Sequence, residues 1–170
     1  MARIAARFGF DALVIAGVLG GIVLVVFELL ASGFLRGSEA AALPLRMVAA
    51  TALGSQALDP AYSLVAAVMT GTAISLVLSI AFTAAFVAIM AFMERIARTR
   101  IVVNMDYLPL AGAIYGFVVW LVSFYVVAPL AGWTWFSAQT NPFVQLVAFT
   151  VFFGCPVGWM LGQPRASITR

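Results

Sequence analysis

The sequence predicts an all-α protein, a polytopic membrane four-helix bundle, and three observations support this prediction. Of its 170 residues, 65% are hydrophobic and only 9% are charged, with a mean hydropathy of +1.13. A soluble domain carries roughly a quarter charged residues. Four apolar runs each approach or exceed the roughly 20 residues that cross a hydrocarbon layer. Two of the runs start at a polar residue followed by proline, Asp59-Pro60 and Asn141-Pro142, which is typical of a helix start.

The predicted spans cover about residues 12–35, 61–92, 107–130 and 143–162, in a single transmembrane domain over 1–170. The first run could be a signal peptide. It is longer than the usual apolar core of such a peptide, and no clean A-x-A cleavage site follows it. It therefore predicts a retained transmembrane helix.

A fifth apolar segment, about residues 43–58, is short and contains Arg46 and Gly54. If it crossed the membrane, the arginine-rich loop after the second span would lie opposite Arg3 and Arg7. Because positive residues collect on the cytoplasmic side, the arginines favour four spans. We expect an interfacial helix at 43–58 and cytoplasmic termini.

The polar inventory argues against catalysis and cofactors. The chain has no histidine, no lysine and one cysteine, Cys155, so it lacks the commonest metal ligand and general base. It has no zinc-protease motif, no Ser/His pair, no pair of intramembrane aspartates and no phosphate-binding glycine loop with lysine. We expect no enzyme activity, cofactor or metal. No arginine cluster with interleaved aromatics lies outside the spans, so nucleic acid is not an expected partner.

Every span carries small residues at four-residue spacing, which lets helix backbones approach closely in a bilayer. These helix-packing stripes are Gly17 and Gly21; Gly71, Ser75 and Ser79; Gly112 and Gly116; and Gly154, Gly158 and Gly162. They predict a tight bundle. Alternatively, the stripe of the fourth span, which contains Pro156, docks on another protein chain.

Glu28 is a carboxylate inside the first span, about 12 Å along the helix axis from Arg36. A charge facing lipid costs a few kcal/mol, so Glu28 should face protein or water. One hypothesis is a buried ion pair with Arg46, or with Arg36. A second is a protonated, hydrogen-bonded carboxyl. A third is a proton or cation site in a transporter, since four spans with a glutamate in the first resemble the layout of small multidrug transporters. The ion pair is the favoured interpretation.

The loop before the fourth span, "AGWTWFSAQTNP", carries Trp133, Trp135 and Phe136 without any charge. Such aromatics usually mark the headgroup level of a membrane, and we expect an interfacial belt. The alternative is an aromatic lid, or a surface that contacts a quinone or pigment.

The stretches "LVSFYVVAPLAGWTWF" and "NPFVQLVAFTVFFGCPVGWMLG" resemble uncharacterised bacterial four-span inner-membrane proteins, the YagU-like and related families of unknown function. "LPLRMVAATALG" and "LDPAY" fit the same layout. The resemblance implies a bacterial inner-membrane location and no established activity. Family members often carry histidines in the second and fourth spans, and this chain has none.

Two functions follow from these patterns. The first is a non-catalytic accessory or structural subunit that packs against a larger inner-membrane complex, for example an energy-transducing one. The second is a small homo-oligomeric proton- or cation-coupled transporter or channel that uses Glu28. The expected partners are membrane lipids and either other membrane subunits or further copies of this chain.

Overall fold

The computed structural model describes residues 9–97 and 105–163, and no strand occurs among them. Within these two ranges, four helices are long and apolar enough to cross a membrane. The predicted fold class is confirmed, and the chain is a multi-pass membrane protein. In chain order the helices are α1 Phe10–Arg36, α2 Leu43–Leu53, α3 Leu64–Ala97, α4 Leu108–Leu130, α5 Thr134–Gln139 and α6 Pro142–Gly162.

The segment between the first two spans does not cross the membrane as a helix. Helix α2 has 11 residues and is therefore about 16 Å long, roughly half the hydrocarbon thickness. It ends at Gly54, whose φ of +80° glycine tolerates best, and a 3₁₀ turn at Ser55–Leu58 follows. The arginines on which the predicted orientation depends lie mostly outside the described residues (Arg3, Arg7, Arg98, Arg100, Arg165 and Arg170). The orientation stays a prediction.

Neighbouring long helices run antiparallel, and they pack in the order α4, α6, α1, α3, with α2 on the outside of α3. Consequently α1 ends where α3 and α6 begin. We name this the Arg36 end of the bundle, and the opposite one the Glu94 end. The short helices α2 and α5 both belong to the Arg36 end, because they connect the spans there.

The apolar core lies toward the Glu94 end. It is formed by the buried side chains of Ala16, Phe86, Leu108, Phe153, Val157 and Leu161. Tyr115 ties α4 to α3 beside this core, since its hydroxyl donates a 2.8 Å hydrogen bond to the carbonyl oxygen of Phe82. Its ring also packs 5.2 Å from that of Phe86. The half of the bundle toward the Glu94 end is therefore closed by large side chains.

Helices α4 and α6 touch backbone to backbone. A Cβ atom added to Gly112 would lie 2.1 Å from the carbonyl oxygen of Gly154, and one added to Gly158 would lie 2.1 Å from that of Leu108. A Cβ atom added to Gly116 would likewise lie 2.1 Å from the carbonyl oxygen of Phe149. Only glycine fits at such distances, so these residues set the separation of the two helices.

Both helices of this pair contain a π-helical segment just before a proline. These segments are Ser123–Val127 ahead of Pro129 and Ala148–Gly154 ahead of Pro156. Proline has no N–H to give to the carbonyl four residues earlier and clashes with it. The wider π turn accommodates this defect without interrupting the helix. Pro156 therefore widens α6 locally, beside the glycine contacts.

Candidate functional site

Glu28 lies on the face of α1 that packs against α6, eight residues before the helix ends at Arg36. The residue is only 9% exposed. Its hydrogen-bond partner is the side chain of Gln145, on the first turn of α6. Gln145 is itself 7% exposed, so a carboxyl and a carboxamide face each other inside the bundle.

The predicted ion pair with Arg46 is wrong. The Arg46 guanidinium donates to the backbone carbonyls of Ala57 at 3.0 Å, Asp59 at 2.8 Å and Tyr62 at 3.1 Å. These carbonyls belong to the turns between α2 and α3, which the arginine holds together. Because a guanidinium has donors in one planar fork, it binds the three acceptors on one side of α2 and does not reach Glu28.

Arg36, the other predicted partner, also makes no salt bridge with Glu28 in the part of the chain that the structure describes. It is exposed at the end of α1, about 12 Å along the axis and roughly 80° around the helix from Glu28. Glu28 therefore has an amide partner and no cationic partner among the described residues.

A cavity of about 70 Å³ lies beside Glu28, between α1, α3 and α6 and beneath α2 and α5. Most of its wall is apolar. The polar lining residues are Glu28, Ser75, Ser79, Thr140 and Gln145, and the apolar ones include Leu24, Met47, Phe82, Phe136, Phe149 and Phe153. We call it the inner cavity. A mostly apolar cavity with a few convergent polar groups is the usual form of a binding site.

A second cavity, of about 40 Å³, lies on the other side of Glu28, toward the Arg36 end. We call it the outer cavity. It shares Glu28, Pro44, Met47, Thr140 and Gln145 with the inner cavity, and its further polar residues are Ser32, Arg36, Gln139 and Asn141. Arg36 and Asn141 are exposed, so this cavity opens at that end of the bundle. Glu28 and Gln145 stand where the two cavities meet.

The aromatic loop folds onto the bundle, and two of its three aromatics pack inward. Phe136 lines the inner cavity and packs against Phe124 with ring centroids 4.9 Å apart. Trp135 packs on a cluster of small buried alanines from α2, the 3₁₀ turn after it and α3. Trp133 lines a groove beside Pro129. The loop therefore covers the cavity, as in the lid alternative, while the membrane belt stays a prediction.

The predicted stripes pack within the chain. Gly17 and Gly21 face Ile80 and Ser79 of α3, and the Ser79 hydroxyl donates a 2.5 Å hydrogen bond to the Gly17 carbonyl. Gly71 packs on Leu45 of α2 instead of on another span. Ser75 lines the inner cavity.

The stripe of the fourth span is also used internally. Gly154 and Gly158 face Gly112 and Leu108 of α4, and Gly162 is buried. Docking of α6 on another protein stays a prediction, but these glycines are not free for it.

Sequence reasoning missed two contributors to the site and one helix contact outside it. Gln145 is close to the start of α6, which suggests contact with water, yet it is buried against Glu28. A glutamine inside an apolar run was the available signal. Thr140 lies in the short connection between α5 and α6, and its place in the cavity wall beside α2 follows only from the tertiary structure. Gly20, outside the four-residue spacing, faces Val157 of α6.

The site holds one acidic group and several neutral oxygens. No group of three His, Cys, Asp or Glu residues within 9–97 and 105–163 could hold a metal ion. The arrangement can bind a proton or a small cation at the Glu28 carboxyl, with neutral hydrogen-bonding groups around it. No family model, curated protein or solved structure matches the chain, so the resemblance to the YagU-like families stays a prediction.

Proposed function

We propose that this protein is a small proton- or cation-coupled membrane transporter or channel that works through Glu28. The observation that carries the proposal is a buried carboxyl at the junction of two cavities, with Gln145 and no cationic side chain as partner among the described residues. A carboxylate in such a place needs a proton or a cation to balance its charge. Intramembrane carboxyls in cavities commonly mark ion and proton pathways.

The proposed function includes a membrane location and an orientation. We place the protein in a bacterial inner membrane with both termini cytoplasmic, on the strength of the arginine distribution and the resemblance of the apolar stretches. On this orientation the Arg36 end and both cavities face away from the cytoplasm. Enzymatic activity and a cofactor are not part of the proposal.

The test is ion flux in proteoliposomes loaded with a pH-sensitive dye and subjected to a pH gradient. Glu28→Gln should reduce the flux by at least about tenfold, because it keeps the hydrogen-bonding shape and removes the titratable group. Glu94→Gln is the matched control, since it neutralises a carboxylate near the C-terminal end of α3 that lines neither cavity. Full flux in the Glu28 variant would refute the proposal.

The accessory-subunit hypothesis is the competing proposal, and the internal use of the α6 glycines weakens its main support. Native mass after gentle extraction separates the two. A homo-oligomer supports the transporter. A stoichiometric set of larger membrane subunits, identified by mass spectrometry, supports the accessory subunit.

A further inference from the structure

The size of the two cavities limits what can reach Glu28. Their volumes are about 70 Å³ and about 40 Å³. A water molecule occupies roughly 30 Å³, whereas an aromatic molecule such as benzene needs a cavity of about 150 Å³. The inner cavity thus holds about two water molecules and the outer cavity about one. The space beside Glu28 therefore suits water and protons better than a bulky organic cation.

The polar groups of both cavities follow one another from the Arg36 end toward the middle of the bundle. Ser32, Gln139 and Asn141 line the outer cavity, next to the exposed end of the bundle. Glu28 and Gln145 come next, and Ser75 and Ser79 line the inner cavity beyond them. Water in these cavities has several hydrogen-bond partners, which is the condition for stable buried water.

The polar lining groups end in the middle of the bundle. The rings of Phe82 and Phe153 meet edge to face, with centroids 6.3 Å apart, at the bottom of the inner cavity. The apolar core described above follows toward the Glu94 end. Thr83, one turn past Ser79 on α3, is fully buried and lines neither cavity. Within the described residues, the path from Glu28 toward the Glu94 end is therefore closed, whereas the outer cavity opens at the Arg36 end.

We propose that the ion bound at Glu28 is the proton, and that it travels through a water-filled half-channel formed by the outer cavity and the inner cavity. This inference rests on the proposed function. A hydronium ion in the cavity gives its proton to a carboxylate oxygen of Glu28, which leaves a water molecule and a neutral carboxylic acid. The reverse step returns the proton to water. Among the residues that the structure describes, Arg36, at the exposed rim, is the only other ionisable side chain that lines either cavity.

The route is tested by the reaction of engineered thiols with silver ions, which are small enough to enter the cavities. The background is Cys155→Ala, since Cys155 is the only native thiol. In lipid nanodiscs, Ser75→Cys should react readily, whereas Thr83→Cys should react at least about tenfold more slowly, because that position requires local opening. Both replacements are close in size to the native side chain.

Closing the outer cavity tests the entrance. Ser32→Phe, combined with Ser75→Cys, should slow the reaction by at least about tenfold, because the ring fills a cavity with room for about one water molecule. Ser32→Ala is the control, since it removes the 2.6 Å hydrogen bond from Ser32 to the Ala40 carbonyl without filling the cavity. Ala31→Phe is a second plug from the same wall and should act likewise.

Equal reactivity at positions 75 and 83, or an unchanged rate in both plugged variants, would overturn the half-channel. The thiol rates do not depend on transport, so they separate this inference from the proposed function. A reachable Ser75→Cys together with Glu28-independent flux refutes the function and leaves the water route standing. Glu28-dependent flux should also persist with N-methylglucamine as the only other cation, and a requirement for sodium would exclude the proton.

Discussion

The α4–α6 contact and the space between α1, α3 and α6 differ in the residues that lie between the helices and in how closely the helices pack. At the first, glycines allow the two backbones to touch, and no cavity among those described lies between them. At the second, Phe82, Phe149 and Phe153 lie between the helices, and two cavities remain between them and the Arg36 end. In a membrane the distance between helices follows the size of the side chains between them. A polar site can form only where large side chains keep the helices apart.

The largest expected effect comes from forcing the tight pair apart. Gly112→Ala should lower the free energy of unfolding by about 3 kcal/mol or more, because the new Cβ meets a backbone carbonyl at 2.1 Å. Gly33→Ala is the control, since its Cβ would make an ordinary 3.4 Å contact with Ala41. Unfolding by SDS titration in mixed micelles measures both. Equal stability of the two variants would mean that α4 and α6 do not touch as described.

A smaller loss of stability is expected when the turns between α2 and α3 lose their hydrogen bonds to Arg46. Arg46→Met should cost about 3 kcal/mol at most, since it leaves three carbonyls without their charged donor. Arg36→Met should change the stability little, because Arg36 has no salt bridge in the described part of the chain. The same titration distinguishes them. If Arg46 paired with Glu28 instead, Arg46→Met and Glu28→Gln would be strongly non-additive in the double variant.

The smallest effects compare two buried hydroxyls. The Thr83 hydroxyl donates a 2.8 Å hydrogen bond to the Ser79 carbonyl, and Thr83→Val should cost about 0.6 kcal/mol. The Thr150 hydroxyl, in the π-helical part of α6, is buried and has no hydrogen-bond partner among the described residues. Thr150→Val should therefore be neutral, or stabilising by up to about 1 kcal/mol. A clear destabilisation by Thr150→Val would indicate a hydrogen bond at the α4–α6 contact.

Much of the fold was predictable because the bilayer allows few solutions. Apolar length placed the spans to within a few residues, and the Asn141-Pro142 start of the fourth span is correct: the Asn141 side chain accepts a 3.0 Å hydrogen bond from the Phe143 N–H. The distribution of arginines argued against counting residues 43–58 as a span, and the observed α2 is too short to cross.

The site was predictable only in part. Glu28 was identifiable because a carboxylate in an apolar run is costly wherever it points. Its partner was not, because Arg46 and Gln145 are both polar residues near one end of the bundle. The choice between them depends on the turns after α2, whose carbonyls bind the guanidinium.

By itself, the sequence determined that the chain crosses a membrane four times, where the helices begin, and that one carboxyl lies among apolar residues. These properties depend on local composition and on the thickness of the bilayer. The tertiary structure alone decided which faces meet: the glycines of α6 lie on α4, Gln145 lies on Glu28, and two cavities join there. Contacts between helices depend on rotation and separation, and those follow from all the side chains of the bundle together.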